Sequence, residues 1–507
     1  MYKQIFYCML VVIFTAAISS CAKDGEDGKP GADGKPGTVV TIGTDGYWYL
    51  DGVKTNYRAS GTINVPSIGE DGYWYIDGVK TNYKADGSKI TIGADGYWYI
   101  DGLKTDYKAV DDNLFTLTFD ADNGSPLKTQ TVIKGAWANE PKDPVKSIAM
   151  EAITVSGLYA TKAGMVNYIF DGWFLENATT PFDFDTPITG SITLTAKWTL
   201  PVINLTSAEG ATIFDKAISY VNINPATYAL MLDNDVSVAG STTRTLSAAS
   251  KLTIIGIGAE RKISLTSQGH ILTVGGVQAT ELTLGNNITL VGLINNNQSL
   301  LRVASNLIML EGSKITGNTT ISSVNIDASA AVYITSSTFP PTFTMKGGVI
   351  TGNKTESTDN RAAGMFVRYS SQNPVISLEG GSITGNEGKA GDVLMEKIAL
   401  TFSGTAQVGT LTLIADMGGP TSVKIASGWT GDNVLLNLYG ASIDIAGVII
   451  PLLWDGKTIL QGDAVNATTV SKFQLGNFIN DQNPPSTQPI TNTHHISDTG
   501  VLTANVP

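Results

Sequence analysis

The chain has 507 residues and carries 45 Asp and Glu against 33 Lys and Arg, a net charge of −12, so it lacks the basic footprint of a nucleic-acid binder. Cys8 and Cys21 are the 2 Cys, both in the first 21 residues, which excludes a disulfide framework or a Cys-based metal site in the remainder. Charged residues make up only 15% and Gly reaches 54, a balance that suits a β-rich extracellular protein of several domains.

Residues 1–20 read as a secretion leader. Lys3 supplies positive charge, and the apolar run from Ile5 to Ala17 is too short to span a bilayer. The sequence Ala16-Ala17-Ile18-Ser19-Ser20-Cys21 resembles a bacterial lipobox, with Ile18 and Ser20 in place of the usual Leu and Gly or Ala. The resemblance implies cleavage before Cys21 and a lipid on its thiol. The lipid would be the membrane partner, since no other stretch is apolar enough to span, and each buried CH₂ contributes about 0.8 kcal/mol. Lys23-Asp24-Gly25-Glu26-Asp27 resembles the surface-export signal of Bacteroides-type lipoproteins. It implies an outer-membrane lipoprotein facing the cell exterior, with a periplasm-facing one as the alternative. Within residues 21–40, Gly25, Gly28, Gly31, Gly34 and Gly37 keep a three-residue period; so few triplets point to an extended tether rather than a collagen-like trimer.

Residues 41–110 hold three aromatic repeats, Asp45-Gly-Tyr-Trp-Tyr-Leu-Asp-Gly-Val-Lys-Thr-Asn-Tyr57 and its counterparts at 71–83 and 95–107. The central Asp-Gly between two β-favouring runs predicts a hairpin. The module resembles the Asp-Gly-Tyr-Trp-Tyr stalk repeats of Bacteroides-type surface lipoproteins. Trp48, Trp74 and Trp98, with Tyr47, Tyr73 and Tyr97, are candidates for stacking on sugar rings. The competing reading, which we favour, is that these rings are the only core such small modules possess.

Residues 114–199 form a separate unit. It opens with Leu114-Phe-Thr-Leu-Thr-Phe-Asp-Ala-Asp-Asn-Gly124 and continues through Tyr168-Ile-Phe-Asp-Gly-Trp-Phe174 and Ile192-Thr-Leu-Thr-Ala-Lys-Trp198. This order closely resembles the Listeria–Bacteroides repeat, a small β-grasp-like module of bacterial surface proteins, and implies a spacer or adhesive domain. The stretch at 146–166 is longer than the family leads one to expect. Asp120-Ala-Asp-Asn-Gly124 starts like a calcium loop, but Ser125 and Thr131 stand where an EF-hand needs Gly and a carboxylate, so a plain turn is expected.

Residues 201–507 carry the strongest periodicity. Leu310-Glu-Gly-Ser-Lys-Ile-Thr-Gly-Asn318, Met345-Lys-Gly-Gly-Val-Ile-Thr-Gly-Asn353 and Leu378-Glu-Gly-Gly-Ser-Ile-Thr-Gly-Asn386 recur at intervals of 35 and 33. Each reads as strand, tight bend, strand, turn. A third short strand recurs near 331–334, 364–367 and 392–395. Three short strands per period predict stacked coils, a parallel β-helix with Asn318, Asn353 and Asn386 as a polar ladder. The spacing of Ile213, Phe214, Ala217, Ile218 and Val221 predicts a helix over 208–222 that caps the open end. Runs at 411–414, 434–438 and 443–450 are expected to form further coils. The repeat resembles the pectin-lyase-like right-handed parallel β-helix proteins, in particular their non-enzymatic, adhesin-like branch. The fold class expected is therefore all-β and multi-domain.

Polysaccharide-cleaving β-helix enzymes cluster carboxylates and cations on successive coils, and the rungs show no such cluster. The charged stretch at 354–361, with Glu356, Asp359 and Arg361, is expected to bulge outward as a solvated loop rather than act in acid–base chemistry. His494 and His495 are adjacent, so on a strand they point to opposite faces, and no metal or cofactor is expected. The reading is a surface-anchored adhesin-like protein that presents a β-helix to glycan or protein ligands of host or microbial surfaces, without catalysis. The alternatives are a β-helix polysaccharide lyase or glycoside hydrolase, and a structural stalk or matrix component without ligand.

Overall fold

The computed structural model describes residues 40–42, 47–50, 53–58, 67–76, 78–85, 90–92 and 97–108 and, short stretches aside, 114–505. The leader, Cys21, the Gly-x-x tether and Asp359 lie outside the described residues. The architecture is all-β, with a parallel β-helix as its largest part. The chain divides into two units: Met1–Thr118 with Lys128–Pro141 and Asp183–Thr193, and Phe119–Leu127 with Lys142–Phe182 and Leu194–Pro507.

In the first unit each aromatic repeat is a 3-stranded antiparallel sheet rather than a bare hairpin. The second repeat, for example, uses Ser67–Ile68, Tyr73–Ile76 and Val79–Lys84. The added strand ends at the Ile of the Ile-Gly-x-Asp-Gly that precedes each Tyr-Trp-Tyr; in register Ile42 pairs with Trp48, Ile68 with Trp74 and Ile92 with Trp98. A two-stranded ribbon is marginal in water, and the third strand supplies the missing ladder. Asp101 and Gly102 both take positive φ (49° and 78°), the backbone that a two-residue turn needs to match strand twist. Further along the unit, Ile188 N donates to Ala136 O and Gly135 N to Ile188 O, each at 2.7 Å.

In the second unit Ile169 pairs antiparallel with Thr199, and the register runs on to Phe174 with Thr195. Trp173 packs edge-on against Phe119 and Phe170, with ring centres 5.2 and 5.6 Å apart. From Thr227 onward the chain winds through three long sheets of 10, 7 and 11 strands, visited in turn. The first coil takes Thr227–Leu232, Val236–Val238 and Thr245–Leu246, one strand for each sheet. Parallel registers stack like on like: Leu252, Leu282, Leu307, Phe343, Ile376 and Leu400 form one inward column. Ile263, Leu290, Ile315, Ile350, Ile383 and Val408 form another. These columns are almost fully buried, which is how strands of two to six residues, each unable to bury a face alone, are stabilised together.

The N-terminal end of the coil stack is closed twice. The helix Ile213–Ile223 turns Phe214, Ala217, Ile218 and Val221 into the core. Thr212 caps it, its side chain accepting from Asp215 N at 3.1 Å. Gly157–Ala160 pairs antiparallel with Thr227–Leu232 and so covers the outer edge of the first coil. At the far end, Ile490, His494 and Leu502 are buried, and Ile459 N and Leu460 N both donate to Gly500 O. One expectation fails here: Ile443–Ile445 and Val448–Ile450 pair antiparallel with each other and add no coil. Only two residues, Ala446-Gly447, separate them in the sequence, so they pair locally with each other.

Candidate functional site

The Ile-Thr-Gly-Asn ends of the rungs build a buried corner. Asn353 Nδ2 donates to Asn386 Oδ1 at 2.9 Å, while Asn318 N and Asn353 N donate to the side chains of Asn353 and Asn386 at 3.1 and 3.2 Å. The ladder extends beyond the three rungs. Asn296 Nδ2 donates to Asn318 Oδ1 at 2.9 Å at one end. At the other, Asp392 Oδ1 accepts from Asn386 N and Nδ2 (2.8 and 2.9 Å), and its Oδ2 accepts from Thr410 N (2.8 Å). Each Asn supplies both a donor and an acceptor, so every coil hands an unsatisfied group to the next, and the acceptor-only carboxylate of Asp392 ends the series. The corner is structural; it fixes coil height on the neighbouring sheet.

That sheet carries the candidate site. Along its outer face a cleft of about 360 Å³ is lined by Glu260, Asn287, Thr289, Glu311, Ser313, Lys314, Val349 and Ser382, with Gly312, Gly348 and Gly381 as bare floor. Thr289, Lys314, Val349 and Ser382 are direct register partners on successive strands. The glycines are there because coils approach closely. A Cβ on Gly348 would lie 2.3 Å from Ser313 Oγ and 2.7 Å from Ser313 O, and Gly348 also holds φ 80°. Stacking thus strips the floor of side chains and leaves an open polar trough. Thr289 Oγ1 donates to Glu260 Oε1 at 2.7 Å and fixes that carboxylate. Glu260 and Glu311 are exposed and Lys314 is half-buried, so carboxylate acceptors and an ammonium donor face solvent together. Sequence reading missed this trough because its lining falls at the variable position of the rung (Lys314, Val349, Ser382). That variability between fixed Gly and Ile-Thr was itself the available signal.

The residues singled out in the sequence are scattered. Lys354–Thr355 is no bulge: it forms a short parallel strand on Thr319–Thr320. Glu356 is exposed and 3.7 Å from Lys354, whereas Arg361 is 8% exposed and thus not part of a solvated loop. Arg361 O accepts from Ala390 N at 3.0 Å and leads into the buried pair Ala362 and Ala363, so coil stacking draws it inward. In the aromatic repeats the side chains of Tyr47, Trp48 and Trp98 lie outside the described residues. Trp74, Tyr73 and Tyr97 are half-buried. Lys80 Nζ lies 3.9 Å above the Tyr73 ring and Lys104 Nζ 3.7 Å above that of Tyr97, so in the second and third repeats the module's own Lys covers one ring face. Lys80 also bonds Asp71 Oδ2 at 2.6 Å, which holds the Asp71 carboxyl below the usual range, and Tyr75 Oη donates to the same oxygen at 3.0 Å. The Asp, Tyr and Lys of the repeat therefore brace the module.

Asp122 Oδ2 accepts from Lys146 Nζ at 2.7 Å, and Asp122 holds φ 46°. His494 is buried and His495 exposed, on opposite faces of their strand. His270 is buried, with Nδ1 2.8 Å from Ser299 O. No group of three or more His, Cys, Asp or Glu suited to a metal is found among the described residues. No helix among them is long and apolar enough to cross a membrane.

Against known families, residues 115–147 and 156–197 match the Listeria-Bacteroides repeat domain. The match leaves out 148–155, within the stretch that leads into the strand covering the first coil. Comparisons with curated proteins and with solved structures return no match.

Proposed function

We propose that this chain is a surface-anchored, adhesin-like binding protein of the Bacteroides lipoprotein type. Cys21 carries the lipid, the Gly-x-x tether and aromatic repeats act as the stalk, and the pectin-lyase-like β-helix receives a glycan or a surface protein at the outer membrane. The observation that carries the binding role is the open polar cleft across successive coils, whose lining offers hydroxyl, carboxylate, amide and ammonium groups at fixed strand spacing. Sites of this kind orient a ligand through a few convergent polar groups. The half-buried, Lys-covered rings of the aromatic repeats favour a structural role for them.

Affinity electrophoresis of the full chain through a panel of polysaccharides, with reducing ends assayed in the same gels, tests the reading. Retardation without new ends is expected. New reducing ends would replace binding with catalysis, and no retardation in any gel would leave the glycan half of the proposal without support. Surface labelling of cells should be lost with Cys21→Ala; unchanged labelling would refute the anchor.

A further inference from the structure

We infer that the cleft on the 7-stranded sheet takes a neutral linear polysaccharide laid along the coil axis and turns away polyuronates. This rests on the binding role proposed above and adds its ligand class, its orientation and its residues.

The orientation follows from register. The lining crosses successive coils: Thr289, Lys314, Val349 and Ser382 are register partners, Lys262 precedes them in the same column, and Glu260 lies just ahead of the Lys262 strand. Four successive strands spaced ~4.8 Å apart give roughly 14 Å from Thr289 to Ser382, and Glu260 extends this by about one more step, the length of a few sugar units in an extended chain rather than of one compact ligand. The trough is open at its glycine floor, where coil stacking forbids a side chain at Gly348 and Gly381.

The ligand class follows from the lining chemistry. Ionised carboxylates only accept hydrogen bonds, so Glu260 and Glu311 call for hydroxyl donors, while the Lys314 ammonium only donates and calls for a ring, linkage or hydroxyl oxygen. Thr289 is almost fully buried and spends its proton on Glu260 at 2.7 Å, so it serves the trough by holding that carboxylate in place. A chain of neutral sugars meets both demands, because each hydroxyl donates and accepts. A polyuronate brings a carboxylate per residue against Glu260 and Glu311; among the described residues the lining offers Lys314 as its cation, with exposed Lys262 beside Thr289 at one end, on a protein of net charge −12. Like-charge contact of this kind costs affinity and slows encounter. Among the described residues the lining holds no aromatic side chain, so selection rests on hydrogen bonds rather than on ring stacking.

The test compares the full-length wild type with two variants, Glu311→Gln and Glu260→Lys/Glu311→Lys. The gels contain mannan, laminarin or arabinoxylan (neutral), or polygalacturonate or alginate (anionic). The altered residues are exposed, and circular dichroism melts should confirm unchanged folding. Wild type is expected to be retarded by at least one neutral glycan and by neither polyuronate. Glu311→Gln should weaken that retardation tenfold or more, and the double Lys variant should acquire polyuronate binding. Wild-type binding to polygalacturonate or alginate overturns the inference. So does neutral-glycan binding that both variants leave unchanged, although the binding role itself would then stand at another site. Absence of binding to every glycan would refute the inference and the glycan reading together.

Discussion

The buried Asn corner makes a quantitative demand on the middle rung. Truncating Asn353 to Ala removes the acceptor for Asn318 N, a backbone N–H in a residue only 1% exposed. Leaving that donor unpaired costs about 1–3 kcal/mol. The bond from Nδ2 to Asn386 Oδ1 is also lost, but this acceptor keeps Asn353 N, and Ile315 O keeps Thr351 N, so neither is orphaned. The expected total is about 2–4 kcal/mol, the orphaned donor plus roughly 1 kcal/mol for the net loss of a satisfied bond. Asn353→Asp separates hydrogen bonding from packing, since the shape is nearly kept. The new carboxylate still accepts from Asn318 N but now presents an oxygen to Asn386 Oδ1. It should cost at least as much as Ala. Urea unfolding followed by circular dichroism measures the change, with the exposed Asn297→Ala as control, and hydrogen exchange should show Asn318 N losing protection. The reasoning is refuted if Asn353→Asp lies within about 0.5 kcal/mol of wild type, the range of an ordinary surface change, or if Asn318 N stays protected in the Ala variant.

Other outcomes follow from the same geometry. Arg244 Nε donates to Asp215 Oδ1 at 2.6 Å, and its Nη1 reaches Ala239 O and Ile271 O at 3.0 Å, pinning the capping helix to the first coils. Arg244→Ala should cost about 1–3 kcal/mol by removing the cation from Asp215 Oδ1, while Thr212 Oγ1 keeps donating to Oδ2, and Arg244→Lys should rescue little; equal stability of both variants and wild type in chemical unfolding would count against the latch. Gly348→Ala must shift Ser313 and adopt positive φ, so expressed protein should melt well below wild type, whereas Gly428→Ala, with nothing within 4 Å and the same positive φ, reports the backbone term alone. Burial pushes the His494 imidazole below its ordinary value, with nearby Asp455 opposing. The unfolded chain therefore binds the proton first as pH falls, so stability should be flat above about pH 6.5 and decline below it. His494→Gln should flatten that decline in melts between pH 5 and 7.

Much of the fold was legible because like residues recur at coil spacing. Ile315, Ile350 and Ile383 stack inward and Asn318, Asn353 and Asn386 stack at the corner, as the rung sequence dictates. What lay outside its reach was pairing between distant segments with no period. Gly157-Leu-Tyr-Ala160 is an unremarkable apolar run whose partner starts 70 residues later. Arg361 looked solvated because its neighbours are polar, yet the strand at Lys354–Thr355 folds that segment onto the stack. The cleft escaped notice because binding groups sit where the repeat varies, while periodic reading attends to what it keeps.

The strand Gly157–Ala160 has a consequence for how the molecule is made. It precedes every coil in the chain, so it emerges from synthesis or export before the edge it covers exists. The first coil can form against a waiting template, and each later coil inherits a finished edge on which to wind. A stack assembled in this order never presents its starting edge to another copy, and its growth has a single direction, away from the seal.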